Sequence, residues 1–178
     1  MGILRKLVSI GVLTALAGTA ATAATPTESQ LKAVFLFNFA QFVEWPPEAF
    51  ETAQTPFAIC VLGKDPFGAD LDEVVRGEAV MGRPLIVKRY TDVEEVGACH
   101  ILYVGGAELA TLRPLLAALE RRSTLVVSDA VQPGVMIGFV KERHRIRLRI
   151  NLAAANGAGL SISSKLLRIA DVVGPTGR

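Results

Sequence analysis

Three short runs that lack polar and apolar alternation constrain this fold more than any other feature: Phe57-Ala-Ile-Cys-Val-Leu62, His100-Ile-Leu-Tyr-Val104 and Thr124-Leu-Val-Val127. A strand wetted on one face alternates, whereas a strand covered on both faces reads as one continuous apolar run, as in a largely parallel sheet between helices. Helix-like segments separate these runs, one from Pro66 to Arg76 and one from Glu108 to Glu120, and a further strand is expected from Leu85 to Tyr90. Asp65 and Pro66 fit the cap and first position of the shorter helix. The pattern predicts an α/β layered fold. Its end differs: Val135 to Val140 and Arg145 to Asn151 read as an antiparallel hairpin, with Ile146, Leu148 and Ile150 on one face and Arg145, Arg147 and Arg149 on the other. A last helix is expected from about Ser163 to Val173, before Gly174-Pro175.

The stretch from Leu31 to Pro46 carries four of the eight Phe and the single Trp. As a helix running to Pro46-Pro47, it sets Leu31, Val34, Phe35, Phe39, Phe42 and Trp45 in one stripe, while Ala33, Leu36, Phe37, Ala40 and Val43 cover most of the remainder. A helix apolar nearly all round is buried, either in its own domain or against another subunit or partner. Phe35, Phe37, Phe39, Phe42 and Trp45 are therefore candidate contacts for a partner or a dimer. The arginine row is another, with a plainer reading as a solvated edge strand guarded by charge.

Residues 1 to 24 have the parts of a secretory signal: Arg5 and Lys6, an apolar run from Leu7 to Ala17, and Ala21-Thr22-Ala23 as a cleavage site. The expected product is one exported domain, residues 25 to 178, large enough to bury roughly 70% of its unfolded surface. Losing Arg5 and Lys6 leaves 17 basic residues against 17 acidic ones. Global charge therefore gives no case for nucleic-acid binding.

Catalytic signatures are missing. Gly63 to Gly68 has phosphate-loop spacing, but Ala69 and Asp70 stand where Lys and Ser/Thr are needed. Ser161, Ser163, Ser164 and Lys165 do not form S-x-x-K, because Ile162 lies three before the lysine. His100 starts its strand and His144 lies in a turn, so a Ser or Cys triad has no evident base. Asp65, Asp129 and Asp171 read as cap or turn residues. A ligand crevice near Gly63, Gly105 and Asp129, at the carboxyl ends of the strands, is the alternative that keeps an enzyme or small-ligand binder open. Cys60 and Cys99 form one disulfide by default in an oxidising compartment. Free buried thiols are a second reading, and a metal site with His100 and His144 lacks the usual close ligand spacing. No cofactor is implied.

Taken together the segments resemble the YfiR family of small periplasmic regulators. The resemblance runs from about Leu31 to Val173 and is carried by Lys32-Ala-Val-Phe-Leu-Phe-Asn-Phe-Ala40 with Phe42-Val-Glu-Trp-Pro46, Ile59-Cys-Val-Leu-Gly63, Asp65-Pro-Phe-Gly68, Gly82-Arg-Pro-Leu85, Cys99-His-Ile-Leu-Tyr103, Ser128-Asp129, Met136-Ile137, Ile150-Asn151 and Gly159 to Ala170. It implies a Rossmann-like, largely parallel sheet without a nucleotide fingerprint, a homodimer, and repression of an inner-membrane diguanylate cyclase of the YfiN type through its periplasmic part. Release by an outer-membrane YfiB-type lipoprotein is also implied. Cys60 and Cys99 match one cysteine pair of the best-known member, whose second pair has no counterpart here. Family members do not all share one partner, so an outer-membrane receptor or a sensor kinase is the alternative.

Overall fold

The computed structural model describes residues 25–105, 119, 123–143 and 145–174. Helix α1 (Glu28–Phe42) leads into β1 (Val43–Glu44), β2 (Phe57–Gly63), α2 (Ala69–Val75), β3 (Ala79–Val80), β4 (Arg83–Tyr90), β5 (Ile101–Gly105) and β6 (Leu125–Ser128). The hairpin β7 (Ile137–Glu142) and β8 (Arg145–Asn151) follows, then α3 (Leu152–Gly157), β9 (Ser161–Ile162), α4 (Ser164–Leu167) and β10 (Ala170–Val173). Eight strands form one sheet in the order β10-β8-β7-β6-β5-β2-β4-β3, and β1 pairs with β9 in a separate two-stranded ladder. The stretch β7-β6-β5-β2-β4 is parallel, as is β10 with β8, but β8 runs against β7 and β3 against β4. The sheet is therefore mixed, with the expected hairpin at one end.

The absence of alternation has a direct cause. Along β2, Phe57, Ile59 and Val61 enter one apolar cluster, while Ala58, Cys60 and Leu62 enter a second on the opposite face of the sheet. The first cluster takes in Ala33, Leu36, Phe39 and Ala40 of α1. The second contains Cys99, Leu102, Val126 and the helical residue Leu119. Apart from Leu119, the helix expected from Glu108 to Glu120 lies outside the described residues.

Four expectations need correction. Helix α1 stops at Phe42, because Val43 is extended and hydrogen-bonds along β9, so Trp45 is not a helical residue. Its buried stripe is Lys32, Ala33, Leu36, Phe39 and Ala40, with Leu31 and Val34 turned to the surface. The small side chains of Ala33 and Ala40 let the helix approach the sheet on that side, so of the expected stripe Phe39 is buried on the helix while Phe35 and Phe42 are only partly covered. The shorter helix starts at Ala69, since Asp65 Oδ1 accepts from the amides of Phe67 at 2.7 Å and Gly68 at 3.2 Å and so builds a turn ahead of it. The terminal helix is a single turn, and Ala170–Val173 is a strand whose β-branched Val172 and Val173 pair with Ile150 and Asn151. With β10 outside it, β8 is not an edge strand.

Candidate functional site

Helix α1 begins with a capping box: Thr27 Oγ1 accepts from the Gln30 amide at 3.2 Å, and Gln30 Oε1 accepts from the Thr27 amide at 3.0 Å. This start places Glu28 and Lys32 one turn apart on the helix, and their side chains meet at 2.8 Å. Lys32 also reaches Asp129 at 2.9 Å, although the lysine is only 6% exposed. The other oxygen of Glu28 holds Lys141 of β7 at 2.8 Å. A charged chain thus runs from the hairpin through the start of α1 to the carboxyl end of β6. The buried Tyr103 lies near enough to Asp129 to feel its charge.

Each ionised form is held by its neighbours. The hydrogen bond from Lys141, followed by that from Lys32, lowers the Glu28 pKa to about 2. Burial disfavours charged Lys32, but its bonds to Glu28 and Asp129 outweigh that and raise its pKa. Burial, reinforced by the Asp129 charge, pushes Tyr103 upward too. These three groups are all moved away from neutrality, which suits a fixed electrostatic frame rather than proton transfer near pH 7.

Outside this chain lies a groove of about 450 Å³ lined by Pro26, Glu28, Leu31, Phe35, Lys141, Arg145 and Ile146. A recess of about 110 Å³, reached past Lys32, Asp129 and Phe139, adjoins it. Phe35 is held by ring contacts to Phe39 at 6.2 Å and Phe139 at 5.9 Å, so the apolar wall is backed by an aromatic cluster. The arrangement offers an apolar floor with a basic lip.

Of the residues singled out from sequence, Phe35 and Arg145 meet in this groove. Phe37 and Phe42 are half-buried elsewhere on α1. Phe39 and Trp45 are core residues and offer no surface: Phe39 is fully buried, and Trp45 packs edge-on to Phe57 at 4.8 Å while its Nε1–H donates to the His100 carbonyl at 3.2 Å. Arg147 pairs with Asp171 of β10 at 3.5 Å and Arg149 with Glu142 at 3.1 Å, so two members of the arginine row lie against acids of neighbouring strands. Asp171 is thus a strand residue, not a cap. Cys60 and Cys99 are joined in a disulfide with their Cα atoms 5.9 Å apart, in the apolar cluster on the sheet face away from α1.

At the alternative crevice the ends of β2 and β5 lie side by side, with Gly63 paired to Gly105. Gly63 adopts φ +78°, and a Cβ there would lie 2.7 Å from the Gly105 carbonyl oxygen; a Cβ on Gly105 would run into the Lys64 carbonyl. Asp65 is occupied by its turn and by Arg89 at 2.7 Å. Ser128 Oγ donates to the Val104 carbonyl at 3.0 Å, and Ser163 caps α4 by accepting from the Lys165 amide at 3.2 Å. Among the described residues no group of three or more His, Cys, Asp or Glu is placed to hold a metal. His144 lies outside them.

Sequence reasoning missed Glu28, Lys32 and Lys141. The Glu28 and Lys32 pair, four apart at the start of the apolar helix, was a readable signal; Lys141 gave none, since it meets Glu28 across 113 positions of chain.

The family model described as YfiR/HmsC-like matches residues 29–171. The chain belongs to the YfiR/HmsC-like family. The match opens in the first turn of α1 and closes in β10, so the groove lining other than Pro26 and Glu28 falls inside the YfiR/HmsC-like region. No curated protein matches the chain. Among the described residues of this YfiR/HmsC-like chain, no helix is long and apolar enough to cross a membrane.

Proposed function

We propose that this chain is a non-catalytic periplasmic regulator of cyclic di-GMP signalling, which binds the periplasmic part of an inner-membrane diguanylate cyclase and holds it inactive. Membership of the YfiR/HmsC-like family supports the regulatory class, and the export-type segment at residues 1 to 24 supports the compartment. The observation that carries a binding role is the outer side of α1: Leu31 and Val34 are 41% and 43% exposed beside the groove, in a chain whose other α1 apolar residues are buried or half-buried. Exposed apolar surface rimmed by charge marks an interaction site. Repression requires tighter binding to the inactive cyclase than to the active one, because equal affinity shifts nothing. A homodimer, and relief by a YfiB-type lipoprotein competing for the same chain, complete the reading.

The test is capture of residues 25–178 on solubilised membranes of the host, with mass spectrometry of what is retained and cyclic di-GMP measured after deletion of the gene. A retained cyclase and a raised cyclic di-GMP level are expected. An unchanged level sinks the reading, and a receptor or sensor kinase retained instead replaces its pathway.

A further inference from the structure

The shape and charge of the α1 groove specify the kind of surface that fills it. Its floor is Leu31, Phe35 and Ile146, and its lip is Lys141 and Arg145. Lys141 is already committed to Glu28 at 2.8 Å. Arg145 is exposed and makes no ion pair among the described residues, whereas its neighbours Arg147 and Arg149 each have one. The groove therefore presents one uncompensated guanidinium beside apolar surface.

The apolar surface does not stop at the groove. Val34 continues it along α1, a helix of 15 residues, and half-buried Phe42 lies two turns further on the same side as Leu31 and Phe35. A small ligand is usually buried over most of its own surface, whereas this groove opens on to the exposed Leu31 and Val34. A second helix can cover such a strip, by laying apolar residues spaced three and four apart against it. A second copy of this chain fits less well, because a two-fold contact sets a patch against itself. The basic hairpin tips of the two copies would then face acids that are already paired, Glu28 with Lys32 and Lys141 and Glu142 with Arg149.

We infer that the groove between α1 and the β7–β8 hairpin receives an amphipathic helix of the partner protein, with apolar residues on Leu31, Val34 and Phe35 and a carboxylate on Arg145. This rests on the reading of the chain as a partner-binding regulator. It adds which face is used and what chemistry the partner must show.

The test places a photo-crosslinking amino acid at Val34, and as a control at Met81, which is 56% exposed in the turn between β3 and β4. Both are carried in the full chain in the host and followed by mass spectrometry of the linked peptides. The expected result is a Val34 adduct with one segment of the membrane partner that has apolar residues three and four apart and an acid. Arg145→Glu should weaken partner binding by roughly tenfold without moving the melting temperature, and changing that acid to Arg should restore it. A Val34 adduct with another copy of this chain, a linked segment without an acid, or unaltered binding by Arg145→Glu would overturn the inference. So would co-purification of the partner with adducts only from Met81; the regulator reading would then stand. If no membrane partner co-purifies at all, both fall.

Discussion

His100 shows how a residue that looks like a catalytic base in sequence is spent on structure. Its Nδ1 lies 3.0 Å from the Ala58 amide, which can only donate, so Nδ1 carries no proton and the neutral ring keeps it on Nε2, 3.2 Å from the Ala49 carbonyl. The ring stacks with Phe50 at 4.5 Å and with Phe57 at 4.7 Å. Burial pushes its pKa down to about 4 from the ordinary 6.5. The unfolded chain therefore binds the proton first as pH falls, so stability is full above about 6.5 and is lost between there and about 4. Urea unfolding across this range should show a loss of roughly 2 kcal/mol after allowing for solvent screening, and His100→Gln should start lower but lack the step. Glu28 acts in a separate window, since its value of about 2 lies below the ordinary 4.5 and its contribution is lost only below that. Gly105 makes a second residue-scale case. Gly105→Ala drives a methyl into the Lys64 backbone, and a loss of about 3 kcal/mol or failure to fold is expected in thermal unfolding. Nothing local to Gly105 announces this, because Lys64 is brought there by strand pairing.

The elements that were legible are those with strong local signals. Strands β2, β5 and β6 were readable because covering on both faces leaves no room for polar residues, and the hairpin was readable because Ile146, Leu148 and Ile150 alternate with arginines. Strand β10 was not. Leu166, Leu167, Ile169, Ala170 and Val173 fit a helical period as well as any strand pattern, and the choice falls to β8, which offers Leu148 to Asn151 as partners. Ending the chain at Arg168 should uncover the backbone groups of β8 that now pair with β10, leaving a bare edge. Self-association is expected by light scattering on a sizing column, and a monomer of unchanged stability would show that β10 does not cover the sheet. The far end of α1 was misread for a similar reason: Val43 and Trp45 continue its apolar pattern, yet Val43 pairs with Ile162 and Trp45 turns inward toward His100.

Across the whole molecule, the Cys60–Cys99 bond closes a loop of 39 residues between β2 and the segment entering β5. Restricting the unfolded chain in this way contributes about 4 kcal/mol on the loop-entropy model. Unfolding in urea with and without a reductant should differ by about that amount, and equal midpoints would show that the bond adds nothing. The bond ties β2 to the segment leading into its neighbour β5, away from the α1 groove, so reduction is expected to lower stability before it alters the groove. The sequence alone determined the α/β layering, the two-sided burial of the central strands, the hairpin and the cysteine pair as a candidate bond, since each is written in residues close together or in simple counts. Only the tertiary structure decided that the sheet is mixed, which face of α1 is buried, and that Phe35 and Arg145 share a groove while Phe39 and Trp45 are sealed in the core. The reason is physical: a helix apolar on most sides has no local preference for one face, and contacts such as Glu28 with Lys141, 113 positions apart, exist only once the sheet has fixed its strand order.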